Sequence, residues 1–441
     1  MTDSVQPSRS RDVADIIEGD RDELVALALD LAGIHSPAGH ERPAAEFVAN
    51  WLNQAGIQSR VQPLTADSAN AIGLIRGNDS GRSLIFDAHL DNEPPAGGAP
   101  ATEMEQRLER GFVEDGLLVG PTIINCKGQV AAFLIAARAI HKSGIQLGGD
   151  LTVAAVASET GQPSVGNHQG IDYPGEGFGT RWMIDRGVIA DYALIGETSG
   201  FGIVAAECGV AQIQVSVPGR VVYTPRLTRP ADWQSHPNPF VKASHIVQAL
   251  EVWAEGYEHQ ATVEFYGGTI VPKAQVVGID GGPNGSHFGS PECVIYLDVR
   301  LAPGADPKAV RREVSDAVKA LGVSAEVSLY QWSRGFIAQN VEPLIEAIET
   351  AHHSLHGEAP PPPPAAEMSM WRDINPFNEV GIPAVCYGPP RLQDPYSKVG
   401  NRAMKIDDLV AATKVYAMTA LQICGVSNQT DRPPSLGEGG S

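Results

Sequence analysis

Apolar residues in the first half of the chain follow two alternating spacings. Apolar positions three and four apart predict helices over residues 22–31 and 129–141. Short, almost continuous apolar runs that end in polar residues are typical of buried strands. These runs are RSLIFDAHLD, GDLTVAAVASET and DYALIGETSG. Helices that alternate with buried strands predict an α/β fold with a mostly parallel sheet flanked by helices.

The pattern changes near residue 210. In AQIQVSVPGRVVY apolar and polar residues alternate, as in a half-exposed antiparallel strand. A helix over 243–255, the strand-like VIYLDVRLAP and a helix over 307–321 follow. From about residue 330 the first pattern returns, with helices over 343–355 and 407–424 on either side of GIPAVCYGP. The sequence therefore predicts a smaller α/β lid domain inserted into a larger domain.

The length of 441 residues supports this division, because it exceeds what one hydrophobic core usually serves. Both ends of the chain are polar and rich in Ser and Pro, which predicts disorder there. The predicted segments are a disordered tail over 1–15, the larger domain over 16–209 and 329–425, the inserted domain over 210–328, and a second disordered tail over 426–441.

Charge and composition exclude several function classes. A net charge of −20 disfavours nucleic acid and anionic membranes as partners. No apolar run approaches the roughly 18 residues of a membrane helix, and the first residues lack a signal-peptide pattern. We therefore expect a cytoplasmic protein. The 5 cysteines are scattered singly, which argues against disulfides and against a thiolate zinc site.

Polar groups with metal-binding chemistry stand at the ends of three predicted strands. His89 and Asp91 end the first strand, Glu159 the second and Glu197 the third. Carboxyl ends of parallel strands meet at one edge of a sheet, where α/β proteins place their sites. A histidine oriented by a carboxylate is a typical metal ligand, and carboxylates gathered together need a cation or a shared proton. The pattern predicts a metal site at this edge.

The order and spacing of several motifs resemble one enzyme family over about residues 20–425. The motifs are DAHLDNEPP, INCKG, ASETG, GTRWMIDRGVIADYALIGETSG, YLDVRLAPGADP and GIPAVCYGPP. They are similar to those of the zinc-dependent amidohydrolases that include acetylornithine deacetylase, succinyl-diaminopimelate desuccinylase and glutamate carboxypeptidase. The resemblance implies a two-zinc site that cleaves an amide. It makes His89 and Glu197 zinc ligands, Asp91 the residue that orients His89, and Glu159 the proton shuttle.

Four positions depart from the family pattern. The acid that bridges the two metals corresponds to Asn125, a second acidic ligand to Thr160, the last histidine ligand to Lys398, and a histidine of the dimer lid to Tyr223. An ammonium cannot bind zinc, and amide and hydroxyl oxygens are weak zinc ligands. We therefore expect at most one zinc ion, held by His89 and Glu197 with the amide oxygen of Asn125. His168, Glu207 and Cys208 are possible substitute ligands.

Two residues near this site have alternative interpretations. Lys398 could replace the charge of the lost second metal, pair with Glu159 and take a catalytic role. Cys126 could be a nucleophile that transfers acyl groups through a thioester, although a packed thiol is the simpler interpretation.

The remaining candidates concern substrate binding. The resemblance places Arg300 on a lid strand, where a salt bridge and substrate-carboxylate recognition are equally good interpretations. Asp373 and Asn375 correspond to loops that enclose the substrate, with a capping role as the alternative. Tyr223 joins this set through its position in the lid.

The predicted function is hydrolysis of an N-acyl amino acid or a small peptide-like amide by a homodimer. The alternative is a metal-free homologue that binds a peptide-like ligand or catalyses acyl transfer or condensation.

Overall fold

The computed structural model of the protein describes residues 7–92, 102–265, 267–282, 286–398 and 400–426. The strands in these ranges are β1 (Gln58–Pro63), β2 (Ala69–Ile75), β3 (Leu84–His89), β4 (Phe112–Glu114), β5 (Leu117–Val119), β6 (Leu151–Val156), β7 (Tyr192–Gly196), β8 (Gly209–Pro218), β9 (Val263–Phe265), β10 (Gly268–Ile270), β11 (Ala274–Asp280), β12 (Glu292–Leu301), β13 (Glu326–Ser333), β14 (Ala384–Tyr387) and β15 (Ala403–Lys405). The helices are α1 (Pro7–Gly19), α2 (Arg21–Gly33), α3 (Arg42–Gln54), α4 (Glu103–Arg110), α5 (Gly128–Lys142), α6 (Phe178–Ile184), α7 (Pro239–Ala261), α8 (Pro307–Ala320), α9 (Glu342–His356), α10 (Ala365–Met368), α11 (Ile374–Glu379) and α12 (Ile406–Cys424).

The larger sheet has the strand order β1-β2-β6-β3-β7-β14. Strands β6, β3, β7 and β14 are parallel, whereas β1 and β2 pair antiparallel at one edge. Every residue of β3, β6 and β7 is buried, which explains why their sequences show apolar runs rather than alternation. The predicted α/β fold with a mostly parallel sheet is confirmed. The carboxyl ends of the three central strands lie at one edge.

Helix α5 lies at the centre of the larger hydrophobic core. The stretch Ile123–Lys142, which includes α5, is long and apolar enough to span a membrane by length and composition, but 94% of its most apolar window is buried inside the protein. Phe133 on this helix stacks on Phe86 of β3, with ring centroids 4.4 Å apart. A helix apolar on all sides is typical of a buried core helix.

A second sheet, β11-β12-β8-β13, is antiparallel throughout. Alternate residues are buried along β12 and along β8 from Ala211 onward, and they pack with the apolar sides of α7 and α8 in a core of their own. The chain enters this sheet at Gly209 and leaves it at Ser333 before returning to the larger sheet at β14. The two connections run side by side: a side chain at Gly209 would meet the backbone nitrogen of Gly335 at 2.4 Å.

The amino-terminal end differs from the prediction. The expected disordered tail over 1–15 is wrong from Pro7 onward, because α1 begins there. Val13 and Ile17 of α1 are fully buried in the larger core. The polar stretch SRSRD hides the helical spacing of these apolar positions. Apart from Val426, the tail predicted over 426–441 lies outside the described residues.

Candidate active site

A cavity of about 970 Å³ opens at the carboxyl ends of the central strands. Its walls come from the larger sheet, from strands β11 and β12 of the second sheet, and from the segments before α11 and after β14. The residues of the cavity that carry chemical groups of interest are Asn125, Glu159, Thr160, Glu176, Glu197, Lys273, Asp298, Arg300, Glu367, Arg372, Arg391 and Arg402. The inserted strands therefore face the strand ends across the cavity.

His89 lies at the end of β3, and both of its ring nitrogens have polar neighbours. Its Nδ1 lies 3.2 Å from the carbonyl oxygen of Asp91 and 3.4 Å from Asp91 Oδ1. Its Nε2 lies 3.2 Å from Glu197 Oε1 and 3.8 Å from Glu159 Oε2. A proton on Nδ1 directed at Asp91 leaves Nε2 available as a ligand, which is the usual arrangement of a metal-binding histidine. The structure thus brings together the four residues expected at the strand ends.

Asp91 also holds the turn that presents Glu159. Its carboxylate accepts hydrogen bonds from the backbone nitrogens of Glu159, at 3.0 Å, and of Thr160, at 2.8 Å, and from the Thr160 hydroxyl. The Thr160 side chain is therefore occupied by its hydrogen bond to Asp91. Burial raises the pKa of Glu159 well above its ordinary value, and the nearby carboxylates add to this rise against the opposing effect of His89. A cation bound next to Glu159 would oppose that rise.

A second buried carboxylate, Glu41, supports the same turn and was missed by the sequence analysis. Its Oε1 accepts hydrogen bonds from the nitrogen of Gly39, at 2.8 Å, and from the nitrogen and hydroxyl of Ser158, both at 3.0 Å. Its Oε2 accepts from the Ser68 hydroxyl. No local motif marks Glu41, because its partner Ser158 lies 117 positions away in the chain.

The site contains donor atoms that suit one metal ion. His89, Cys126 and Glu197 each present a ligand atom, and these atoms lie within 4.8 Å of one another. Nε2 of His89 and Oε2 of Glu197 are buried without a hydrogen-bond partner. Burial alone would raise the pKa of Glu197, but His89, Arg372 and Arg391 hold it below its ordinary value. An ionised carboxylate beside an imidazole nitrogen fits a divalent cation such as zinc.

Asn125 and Cys126 lie side by side in the irregular turn Ile123–Lys127, and the peptide bond between them is cis. Asn125 lines the cavity, whereas Cys126 is fully buried. Burial raises the pKa of the Cys126 thiol far above its ordinary value. A nucleophilic thiolate needs access to substrate and a lowered pKa, so the thioester alternative is disfavoured and the packed-thiol interpretation is favoured.

Lys398 does not reach the site, and its predicted pairing with Glu159 is wrong. Its side chain is 64% exposed, and its Nζ lies 2.8 Å from Glu105 Oε1. The positive charge near Glu197 comes instead from Arg372, whose Nε lies 3.9 Å from Glu197 Oε2, and from Arg391. The sequence analysis missed both arginines, although the need to neutralise the clustered glutamates was a signal for them.

Arg372 is the centre of a buried ion cluster behind Glu197. It donates to Glu207 Oε1 at 2.7 Å and to the carbonyl oxygen of Thr198 at 2.9 Å, and it also pairs with Glu367. Glu207 is thereby used by Arg372 and does not join His89. The other proposed substitute ligands are also elsewhere: His168 is exposed and packs on Tyr173, and Cys208 is buried in a separate apolar cluster.

The expected substrate-binding residues lie in three different places. Arg300 lines the cavity and donates to Asp298 at 2.8 Å. Asp373 is buried beneath the site, where it accepts from the Thr180 hydroxyl at 2.7 Å, and burial raises its pKa to about 7. Tyr223 is exposed in the segment after β8 and packs against Phe288, with ring centroids 5.3 Å apart.

Asn375 has a structural position, which contradicts its predicted contact with substrate. It is fully buried, donates to the carbonyl oxygen of Cys208 at 2.9 Å and accepts from the nitrogen of Phe336 at 3.1 Å. These two bonds tie α11 to both connections between the sheets.

Two curated relatives match the chain over most of its length. The chain is 25% identical over 435 residues to N-formyl-4-amino-5-aminomethyl-2-methylpyrimidine deformylase of Bacillus subtilis, covering 90% of this chain and 94% of that protein. It is 24% identical over 416 residues to succinyl-diaminopimelate desuccinylase of Xanthobacter autotrophicus, covering 90% and 96% of the two chains.

The fold is shared with solved structures at lower identity. The dipeptidase Dug1p of Saccharomyces cerevisiae superposes with a TM-score of 0.70 at 12% identity, covering 96% of this chain and 99% of that chain. Human carnosine dipeptidase 1 gives a TM-score of 0.68 at 16% identity, covering 95% and 100%. The sequence model of peptidase family M20/M25/M40 matches residues 85–422. Members of this peptidase family are typically metal-dependent. The resemblance predicted from the motifs is thus confirmed, and the chain belongs to peptidase family M20/M25/M40.

Proposed function

We propose that this protein hydrolyses the amide bond of an N-acyl amino compound or a small peptide-like substrate with the help of one zinc ion held by His89 and Glu197. The observation behind this proposal is the placing of Glu159. Its carboxylate lies 3.8 Å from the ligand nitrogen of His89, at the wall of a cavity large enough for a small substrate. A proton-transfer group next to a cation site is the arrangement that amide hydrolysis requires.

A bound zinc ion would polarise the amide carbonyl and lower the pKa of a water molecule. The residues of the chain supply the rest. Glu159 takes the proton of the attacking water and delivers it to the leaving amine nitrogen, so one carboxylate serves both halves of the reaction. Asp91 fixes the orientation of His89 through Nδ1 and the position of Glu159 through its backbone nitrogen.

Two arginines of the cavity wall, each paired with a carboxylate of the same wall, can bind acidic or hydrogen-bond-accepting parts of a substrate. Arg391 lines the cavity with a side chain that is only 13% exposed and lies 3.7 Å from Glu367. Arg300 faces the site from β12 and could hold a substrate carboxylate while keeping its bond to Asp298. The names of the relatives give the substrate classes to screen first: an N-formylated aminomethylpyrimidine, an N-succinyl amino acid and dipeptides.

Metal content and turnover together test the proposal. The protein is purified without chelator, re-equilibrated with zinc and analysed for metal equivalents per chain. The same sample is assayed by amine release on the three substrate classes. We expect close to one equivalent, loss of metal in His89→Ala, and retained metal without turnover in Glu159→Gln. An exposed glutamate changed in the same way, Glu326→Gln, is the control. Zinc-free protein that still cleaves its substrate, or metal-loaded protein inactive on every class, would contradict the proposal.

We infer in addition that the protein is a cytoplasmic homodimer formed through the second domain. Support comes from the exposed aromatic pair Tyr223 and Phe288, whose side chains are 43% and 55% exposed. Contiguous exposed apolar surface often marks protein interfaces. Light scattering on the wild type and on Tyr223→Ser tests the dimer, and a monomeric wild type would contradict it.

A further inference from the structure

Cys126 lies against the backbone of His89 in the wall of the metal site. Its sulfur accepts a hydrogen bond from the backbone nitrogen of His89 at 3.1 Å, and its thiol lies 3.6 Å from the carbonyl oxygen of His89. The side chain is fully buried. The sulfur, a ring nitrogen of His89 and a carboxylate oxygen of Glu197 all lie within 4.8 Å of one another. A sulfur in this position is shielded from solvent and lies near the ligand atoms of His89 and Glu197.

An independent observation indicates that something binds at this point. His89 and Glu197 are 1% and 2% exposed, and His89 Nε2 and Glu197 Oε2 make no hydrogen bond in the described part of the chain; their charged neighbours are Glu197 Oε1, 3.2 Å from Nε2, and Arg372 Nε, 3.9 Å from Oε2. Buried polar atoms are nearly always paired, and an unpaired buried carboxylate oxygen is costly. A cation shared by the imidazole nitrogen, the carboxylate and the adjacent sulfur would satisfy both atoms.

We propose that the Cys126 thiolate is the third protein ligand of the metal ion, which makes the site a mononuclear His–Cys–Glu centre. The inference rests on the proposed one-metal function. Catalytic zinc sites usually have three strong protein ligands, and Asn125 provides only a neutral amide oxygen at the position of the lost bridging acid. The neighbouring thiolate supplies the missing negative ligand.

When the metal binds, the S–H bond breaks, its proton leaves to solvent, and a metal–sulfur bond forms. The backbone N–H of His89 continues to donate to the sulfur. A sulfur ligand also selects the metal, because thiolates favour zinc and cobalt over magnesium and manganese.

Cobalt substitution tests the ligand directly. Metal-free protein is titrated with Co²⁺, and the near-ultraviolet region is examined for the intense thiolate-to-cobalt charge-transfer band. We expect this band in the wild type, its loss in Cys126→Ser, and its retention in the control Cys293→Ser, which changes a buried cysteine of the second domain. Cobalt binding that depends on His89 but gives no such band in the wild type would overturn the assignment.

X-ray absorption on the zinc-loaded wild type gives the same answer without any variant. One sulfur neighbour at about 2.3 Å supports the proposal, whereas only nitrogen and oxygen neighbours at about 2.0–2.2 Å overturn it. The outcome is separable from the proposed function. Zinc bound without a sulfur neighbour would refute only the proposed role of Cys126. Zinc bound to sulfur in a protein that cleaves no amide would refute only the proposed hydrolysis. Protein that binds no metal would refute both.

Discussion

Glu41 offers a direct test of how the fold holds the proton-transfer residue. Two substitutions separate its charge from its hydrogen bonds. Glu41→Gln keeps the shape and one acceptor oxygen, whereas Glu41→Ala removes every acceptor from the nitrogens of Gly39 and Ser158 and from the hydroxyls of Ser68 and Ser158. Ser158 has φ of 54°, in the left-handed region, so its conformation depends on such contacts.

The expected losses of stability differ between the two variants. In Glu41→Ala two buried backbone N–H groups lose their acceptor at about 1–3 kcal/mol each, which amounts to about 2–6 kcal/mol. The cost of Glu41→Gln should be nearer 1 kcal/mol. Burial and the nearby Asp91 carboxylate raise the pKa of Glu41, so the charged form is not strongly favoured and a neutral amide is a fair substitute.

The effect on catalysis should appear in kcat. A misplacement of about 1 Å can cost about 100-fold in rate, so we expect kcat of Glu41→Ala to fall by 10- to 100-fold and that of Glu41→Gln by less than about 10-fold. KM and bound metal should stay within about twofold of the wild type, because Glu41 contacts neither the cavity nor the ligand atoms.

Urea unfolding followed by circular dichroism gives the stability, and initial rates with metal analysis give the rest. Glu46→Gln is the matched control, because Glu46 lies on helix α3, which begins directly after Glu41, and its side chain is 53% exposed. A Glu41→Ala protein within about 0.5 kcal/mol of the wild type would refute the bonding argument. Loss of metal rather than of kcat would show that Glu41 acts on the ligands instead of on Glu159.

Three further predictions follow from the same structure. Glu159→Gln should lower kcat by about 100- to 10,000-fold while zinc content is unchanged, and a variant that lost its zinc as well would show that Glu159 is also a ligand. Lys398→Met should leave activity unchanged and should change the free energy of unfolding by less than about 0.5 kcal/mol, because the lysine is exposed beside Glu105. A large loss of activity would instead support a catalytic role for Lys398. Burial lowers the pKa of His352 from 6.5 to about 4 while its Nδ1 lies 2.7 Å from the Tyr387 hydroxyl. The unfolded chain therefore binds a proton between these two pH values when the native state does not, so stability should fall as the pH drops from 6.5 towards 4. The free energy of unfolding, measured at pH 7.5 and at pH 5, should decrease by about 1–2 kcal/mol less in His352→Gln than in the wild type. Equal decreases would contradict the assignment.

Much of the fold was predictable because its signals are local. Apolar runs with polar ends marked β3, β6 and β7, since central parallel strands are buried on both faces. The same runs placed His89, Glu159 and Glu197 at strand ends, and parallel strands bring such ends together wherever they lie in the sequence. The helix α1 escaped prediction because two buried positions, Val13 and Ile17, in a polar segment are a weak signal.

The sequence by itself determined the fold class, the family and the residues at the strand ends, because hydrophobic periodicity and motif spacing are properties of neighbouring positions. Only the tertiary structure decided which distant groups meet them. It brought Glu41 beneath Ser158, Arg372 behind Glu197 and the Cys126 sulfur beside His89, and it directed Lys398 to solvent. Side-chain directions and long-range contacts follow from packing of the whole chain, so no local pattern could have specified them.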